Sequence, residues 1–321
     1  YYKKTFDLLL RKSLPIYSGF TSGLTNVGSI ENKGFEFTIN SRNLVNTLRW
    51  ETSLNLSINR NKILALADGK DIYLTSSKPI GTVSEEQFAV LRVGKPLGSL
   101  FGYVYDGVIQ ANENYAPQPN AKPGDPKFKD ISGPNGTPDG KIDNFDRTII
   151  GSANPDFIFG LTNSFTYKNF DLNIFIYGSV GNDLLNMTRM NLEWKRTTDA
   201  LNRWTPKNTN TDIPRNGFFF SKYGGYINSH FIEDASFARL RTITLGYTYP
   251  SRVKFFQSVR VYASAENLLT LTKYTGWDPE VDTKGYESNA TGGQTANAGA
   301  GMDFNSYPSM RSFTIGLNIK F

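Results

Sequence analysis

Cysteine is absent from the 321 residues, and histidine occurs once, at His230. These absences exclude a disulfide framework, a thiolate zinc site and a cysteine nucleophile. A Ser-His-Asp arrangement would have to hinge on a single loop histidine. Long apolar runs are missing as well. A membrane-spanning helix needs roughly 18 or more consecutive apolar residues, and the longest apolar patches here, such as 170–180, are broken by polar side chains. The net charge is +6, yet the basic residues are scattered with no run of five, which argues against a nucleic-acid partner. The sequence opens at Tyr1 inside a strand-like pattern, without an initiator Met or a charged-then-apolar leader. The reading is a trimmed mature chain or a fragment.

What the sequence has in abundance is period-two alternation. Leu48, Trp50, Thr52, Leu54, Leu56 and Ile58 share one mostly apolar parity, while Arg49, Glu51, Ser53, Asn55, Ser57 and Asn59 occupy the other. That is a strand with one apolar and one polar face. The same pattern returns at 35–40, 242–249, 259–266 and 312–321, and less purely in the aromatic segments 156–168 and 170–182. Segment 1–14 carries it most weakly. Counted back from Phe321, about eight strands are expected. Their connections alternate long (15–28, 61–155, 183–233, 274–305) and short (41–46, the dipeptide Lys168-Asn169, 250–258). Soluble sheets also alternate, but a sandwich does not sort its loops by end and length. An outer-membrane barrel does, with short periplasmic turns and long extracellular loops. Trp50, Tyr167, Phe170, Tyr247, Tyr249 and Phe321 gather at the short-turn ends, as an interfacial aromatic girdle would. The fold class is therefore all-β, a transmembrane antiparallel barrel.

Six segments carry a more specific likeness: Gly28 to Phe37, Val93 to Gln110, Asn202 to Pro206, Glu233 to Arg241, Asn267 to Glu280, and Tyr307 to Arg311. In their order and spacing they resemble the C-terminal part of SusC/RagA-type TonB-dependent outer-membrane transporters, over nearly the whole of 1–321. The resemblance implies a plugged barrel of about 22 strands, the size class of outer-membrane transporters. It implies import of oligosaccharides or peptides, a SusD-like surface lipoprotein as lid, and TonB as the partner that pulls the plug. Nothing in 1–321 matches the plug or the TonB-contacting segment, so this portion supplies barrel wall and extracellular loops, in contact with outer-membrane lipid. Its final Phe321, closing the series Phe313, Ile315, Leu317, Ile319, resembles the terminal signal read by the barrel-assembly machinery. The alternative class is a small self-contained barrel with a structural or adhesin role.

Two sets of side chains are candidates for a site. Asp139, Asp143 and Asp146, with Gly140 at the sharp turn and Asp130 upstream, resemble the second half of an EF-hand-like loop suited to Ca²⁺. The insertion 133–138 and Asp in place of a closing Glu depart from that pattern, and an acidic solvated turn is the competing reading. No cofactor is otherwise required, and no catalytic residues are expected. The loop aromatics Trp194, Trp204, Tyr223, Tyr226 and Trp277 can stack on a substrate or meet a lid, or they can pin long loops together. Phe218, Phe219 and Phe220 belong to the same group, and 289–301 reads as a flexible loop tip.

Overall fold

The computed structural model describes residues 1–13, 17, 19, 22–66, 69–75, 86–194, 197–217, 224–250, 257–281 and 300–321. The chain begins with β1 (Tyr2–Ser13), β2 (Ser22–Val45) and β3 (Leu48–Leu66). Six short strands follow: β4 (Ile72–Thr75), β5 (Gln87–Leu91), β6 (Ser99–Tyr103), β7 (Tyr105–Val108), β8 (Pro126–Phe128) and β9 (Arg147–Ser152). Then come the hairpin β10 (Phe157–Tyr167) and β11 (Phe170–Val180), β12 (Asp183–Asn186) and the helix α1 (Met187–Trp194). The chain closes with β13 (Ile232–Asp234), β14 (Phe237–Pro250), β15 (Ser258–Thr272), β16 (Met302–Asp303) and β17 (Ser312–Lys320). No helix among the described residues is long and apolar enough to cross a membrane.

Eight of these strands form one antiparallel sheet in the order β1-β2-β3-β10-β11-β14-β15-β17. Each strand lies beside the wall strand next to it in sequence, as a meander requires. The register turns the sequence alternation into continuous rows. Trp50, Phe165, Leu172, Leu245, Ala263 and Ile315 stand side by side across six strands. Leu245, Ile315 and Leu317 are exposed, as are Phe35, Phe37, Tyr247, Tyr249 and Phe313 along the same face. On the opposite face Arg260 and Asp171 form a two-pronged ion pair that reaches across β14. Gly246 lies beneath it, where a Cβ would come 2.5 Å from both partners. The bridge therefore depends on a bare backbone at that position.

Strand ends differ from the sequence expectation where bulges let the ladder run on. The β2–β3 turn is two residues, 46–47, rather than 41–46, because a bulge at Arg42/Leu44 absorbs the register change. A second bulge at Ser29/Ile30 lets β2 extend back to Ser22, into the segment expected to be a long loop. β3 likewise continues to Leu66. The hairpin at Lys168-Asn169 is as tight as expected, with Tyr167 opposite Phe170 and Lys168 in the left-handed region at φ 52°. Residues 251–256 and 282–299, which include most of the expected loop tip 289–301, lie outside the described residues.

The long connections are not bare loops. β4, β5, β6 and β9 form a four-stranded sheet, β7 and β8 a ribbon, and β12, β13 and β16 a third small sheet. They bury a core of their own: Phe88, Leu100, Leu185, Met187, Met190, Ile227, Phe231 and Met302 are almost wholly enclosed. Among the described residues, most of the largest fully buried side chains sit in this loop layer at one end of the wall; Ile63 on β3 and Arg239 on β14 are buried where the wall meets it. Along its apolar face many large side chains of the wall, such as Phe35, Leu245, Phe313 and Ile315, are left exposed among the described residues.

β1 and β17 each have only one neighbour in the eight-stranded sheet and do not pair with one another. Each leaves a row of unpaired N–H and C=O groups, costly in hydrocarbon and sticky in water. Residues 1–321 expressed alone are expected to aggregate rather than close. Heat-modifiable migration of the isolated piece on a gel, the sign of a closed barrel, would contradict this.

Candidate functional site

The loop layer is where polar chemistry gathers. α1 starts at Met187 because Asn186, the last residue of β12, accepts a hydrogen bond from Arg189 N–H at 2.8 Å with its side-chain oxygen. One turn of helix then sets Arg189 and Glu193 on the same face, Nε to Oε1 at 2.7 Å. Glu193 is almost fully buried, and its other oxygen lies 3.0 Å from His230 Nε2. The same ring nitrogen lies 3.2 Å from Arg189 Nη2. Arg189 also reaches Glu233 at 3.3 Å, which receives Asn186 Nδ2 and Thr275 N–H. The lone histidine is thus held in a four-membered polar network, with the Tyr105 ring 4.6 Å from its own. No serine or other nucleophile is bonded to it among the described residues. The network ties α1, β13 and the segment after β15 into one piece.

Above this network opens a cavity of about 600 Å³ lined by Asn186, Thr188, Arg189, Glu193, Thr275 and Trp277, among others. Trp277 stands at its rim with 69% of its surface exposed. Polar donors on the floor and an open indole at the edge are what a ligand site needs to orient and grip a guest. The remaining aromatic candidates go elsewhere. Trp204 is only 6% exposed and donates its indole N–H to Gln110 at 3.0 Å. Tyr226 stacks on Tyr103 with centroids 4.6 Å apart, in the cluster built on Phe128 and Ile142. Both serve to pack loop on loop. Trp194 closes α1, whereas Tyr223 and Phe218 to Phe220 lie outside the described residues.

The acidic candidates fall into two local pairs, Asp130 with Asp139 and Asp143 with Asp146, and each turns to the backbone. Asp146 is fully buried and accepts N–H groups from Ile131, Ser132 and Asp143 at 2.8, 3.2 and 2.8 Å. Asp143 caps the short turn by accepting Phe145 N–H. Asp130 takes the N–H of Asp139 and Gly140, and Asp139 that of Lys141. Among the described residues no group of three or more His, Cys, Asp or Glu converges to hold a metal ion. The carboxylates instead satisfy the donors of a loop with little regular structure.

A second anchor escaped the sequence reading. Arg239, on the polar face of β14, is buried and bonds Asp278, Glu280, Ser309 and Thr270 together. Its signal was a charge placed inside an otherwise apolar-alternating strand. Burial by itself pushes the Asp278 carboxyl up, but hydrogen bonds from Ser309, Glu280 N–H and Arg239 together outweigh it. They hold the group below the ordinary carboxylate range. The clamp fixes the segment that carries Trp277 to the barrel wall.

Kinship agrees with this architecture. No family model matches the chain. It is 41% identical over 329 aligned residues to TonB-dependent receptor P3 of Formosa agariphila, an alignment that spans 99% of this chain and 31% of the relative. It is 31% identical to the TonB-dependent receptor SusC of Bacteroides thetaiotaomicron, over 100% of the chain and 29% of that protein. The chain therefore spans less than a third of the length of these relatives. Among solved structures, the RagAB peptide importer in its closed-closed state superposes with a TM-score of 0.74 at 25% identity, covering 99% of this chain and 33% of that one.

Two outcomes are expected from this geometry. Asp146→Asn leaves one backbone N–H facing an amide N–H₂, at a cost of about 1–3 kcal/mol, and should open 130–146 to limited proteolysis. Unchanged cleavage would show that the buried carboxylate does not hold the loop. Asp278 has a depressed pKa, so its stabilisation is complete above the unfolded value and is lost as pH falls through the folded one. Arg239→Met, which strands a buried carboxylate, should cost about 3–5 kcal/mol at neutral pH and much less in strong acid. Melting curves that differ equally at both pH values would refute the clamp. Homology along its full length and a shared wall fold make the chain a relative of one portion of the SusC/RagA-type TonB-dependent receptors.

Proposed function

We propose that these residues form the C-terminal portion of a nutrient importer of the bacterial outer membrane, supplying about eight strands of barrel wall and part of the outward-facing loop layer. The observation that carries this reading is the sorting of the structure by end. Two-residue turns and girdle aromatics mark one edge of the wall, and a packed, polar loop layer with an open cavity marks the other. The open edges β1 and β17 favour a larger barrel over a self-contained one. The first end is periplasmic, with the C-terminus there, and the loop layer meets the nutrient and a SusD-like surface lipoprotein. Plug and TonB contacts belong to other parts of the whole protein. Relatives described as TonB-dependent receptors fit a site whose histidine is bonded to Glu193 and to no nucleophile among the described residues.

In this reading Trp277 contacts the imported molecule at the cavity rim. In the full-length transporter, Trp277→Ala should leave surface level and heat-modifiability unchanged while weakening uptake affinity roughly three- to tenfold, the equivalent of about 0.5–1.5 kcal/mol of stacking. Uptake of labelled oligosaccharide and peptide pools by intact cells measures it and separates the two substrate classes. Unaltered uptake of both would remove the cavity from the pathway. Protease added to intact cells should cut within 61–155, 183–233 or 274–305. Cleavage confined to permeabilised cells would reverse the orientation.

A further inference from the structure

One feature of the wall does not belong to a plain lipid-facing surface. The row Ser41, Thr52, Asn163, Ile174, Ile243, Ala265, Phe313 crosses seven strands in register. Four of its members are apolar, but the three on β2, β3 and β10 are polar. The neighbouring row toward the short turns reads Leu44, Trp50, Phe165, Leu172 on the corresponding strands, and the row on the other side reads Ile39, Leu54, Leu161, Ile176. The polar trio is therefore an island with apolar residues on both sides, not the fringe of the headgroup zone.

The island is built rather than accidental. Ser41 Oγ donates to Asn43 Oδ1 at 2.7 Å, and Asn43 Nδ2 donates to Thr52 Oγ1 at 2.7 Å. Thr52 Oγ1 donates to Asn163 Oδ1 at 2.8 Å, and the Trp50 indole N–H reaches that same oxygen at 2.9 Å. Asn43 is the extra residue of the β2 bulge, so the bulge places an amide on this face. Indole nitrogen only donates, which fixes the Asn163 oxygen inward and turns its N–H₂ outward. No acceptor on a described residue meets that amide nitrogen. Below it the Trp50 and Phe165 rings stack at 5.6 Å and 18°.

We infer that this island is a binding site for one glycerophospholipid of the periplasmic leaflet, its ester or phosphate oxygens accepting from Asn163 Nδ2, its head flanked by the Trp50–Phe165 stack and its chains running toward the midplane over Ile39, Leu54 and Leu161. The inference rests on the outer-membrane reading of the wall. Chemistry and size select the occupant. An exposed donor in hydrocarbon is costly without an acceptor, and lipid ester and phosphate groups are acceptors without N–H donors of their own. Three strands at about 4.8 Å spacing and one row of about 7 Å make a patch on the order of 100 Å². That suits a glycerol backbone and is far below the roughly 1,000 Å² of a stable protein interface.

The test uses the full-length transporter, extracted from outer membranes in mild detergent and examined by native mass spectrometry. The probe is added phospholipid, phosphatidylethanolamine. Wild type should retain one phospholipid through delipidation. The double variant Asn163→Leu, Thr52→Val should lose it at least tenfold more readily, while its heat-modifiable migration stays unchanged. Equal retention by both proteins, or none by wild type, would overturn the site. A variant that instead changes the number of transporter copies in the particle would reassign the island to a barrel-to-barrel contact. Wild type that never enters the outer membrane would fail the underlying reading rather than the lipid site.

Discussion

The wall is organised by the need of every backbone N–H and C=O to find a partner within the sheet. An antiparallel ladder of eight strands meets that need everywhere except along β1 and β17. Once the ladder is set, each side chain is committed to one of two faces, because the side-chain period is two. Apolar rows then line up across strands with no core behind them. Exposed Phe, Ile and Leu on such a scale mark a surface whose solvent is not water. The bulges are the points where the ladder yields: at Arg42/Leu44, Phe175/Ile176 and Leu240/Thr242 the register shifts by one residue, yet the apolar face is recovered beyond each shift.

The loop layer obeys different physics. It has buried apolar clusters, short sheets and a helix, as a small soluble domain would. Its stability therefore comes from burial and from enclosed ionic networks rather than from lipid. Two of these networks matter for the cavity. Arg189 shared between Glu193 and Glu233 secures the floor, and Arg239 secures the segment of the rim. In both, one guanidinium meets two carboxylates, so removing the cation leaves more buried charge unpaired than removing either acid. The cavity is thus held from two sides, by the helix and by the wall.

The acidic loop and the aromatic candidates show how one residue type can meet different partners in the same layer. Four aspartates at EF-hand-like offsets became backbone caps, since a carboxylate accepts N–H as readily as it ligates a cation. Trp204 and Tyr226 became packing residues, because a large ring in a long loop buries area wherever the loop folds back on itself. Among the candidates whose side chains are described, Trp277 stays open, and nothing in its sequence neighbourhood distinguishes it from the others.

The strands were legible from the chain because alternation is a local property: Leu48 to Ile58 and Phe313 to Phe321 read the same with or without neighbours. Their number, order and the tight turn at Lys168-Asn169 followed from spacing alone, whereas the kinship rested on the likeness of six motifs to a known family. The ends of β2 and β3 were not legible, because a bulge is decided by pairing between strands and leaves little mark on either one. Nor was the Arg239 clamp, whose partners lie 39, 41 and 70 residues away, or the bond from Trp50 to Asn163 across 113 residues. Period and turn chemistry reside in neighbouring residues, and sequence by itself determined them. Which charges and amides meet depends on register between distant strands, and only the tertiary structure decided that.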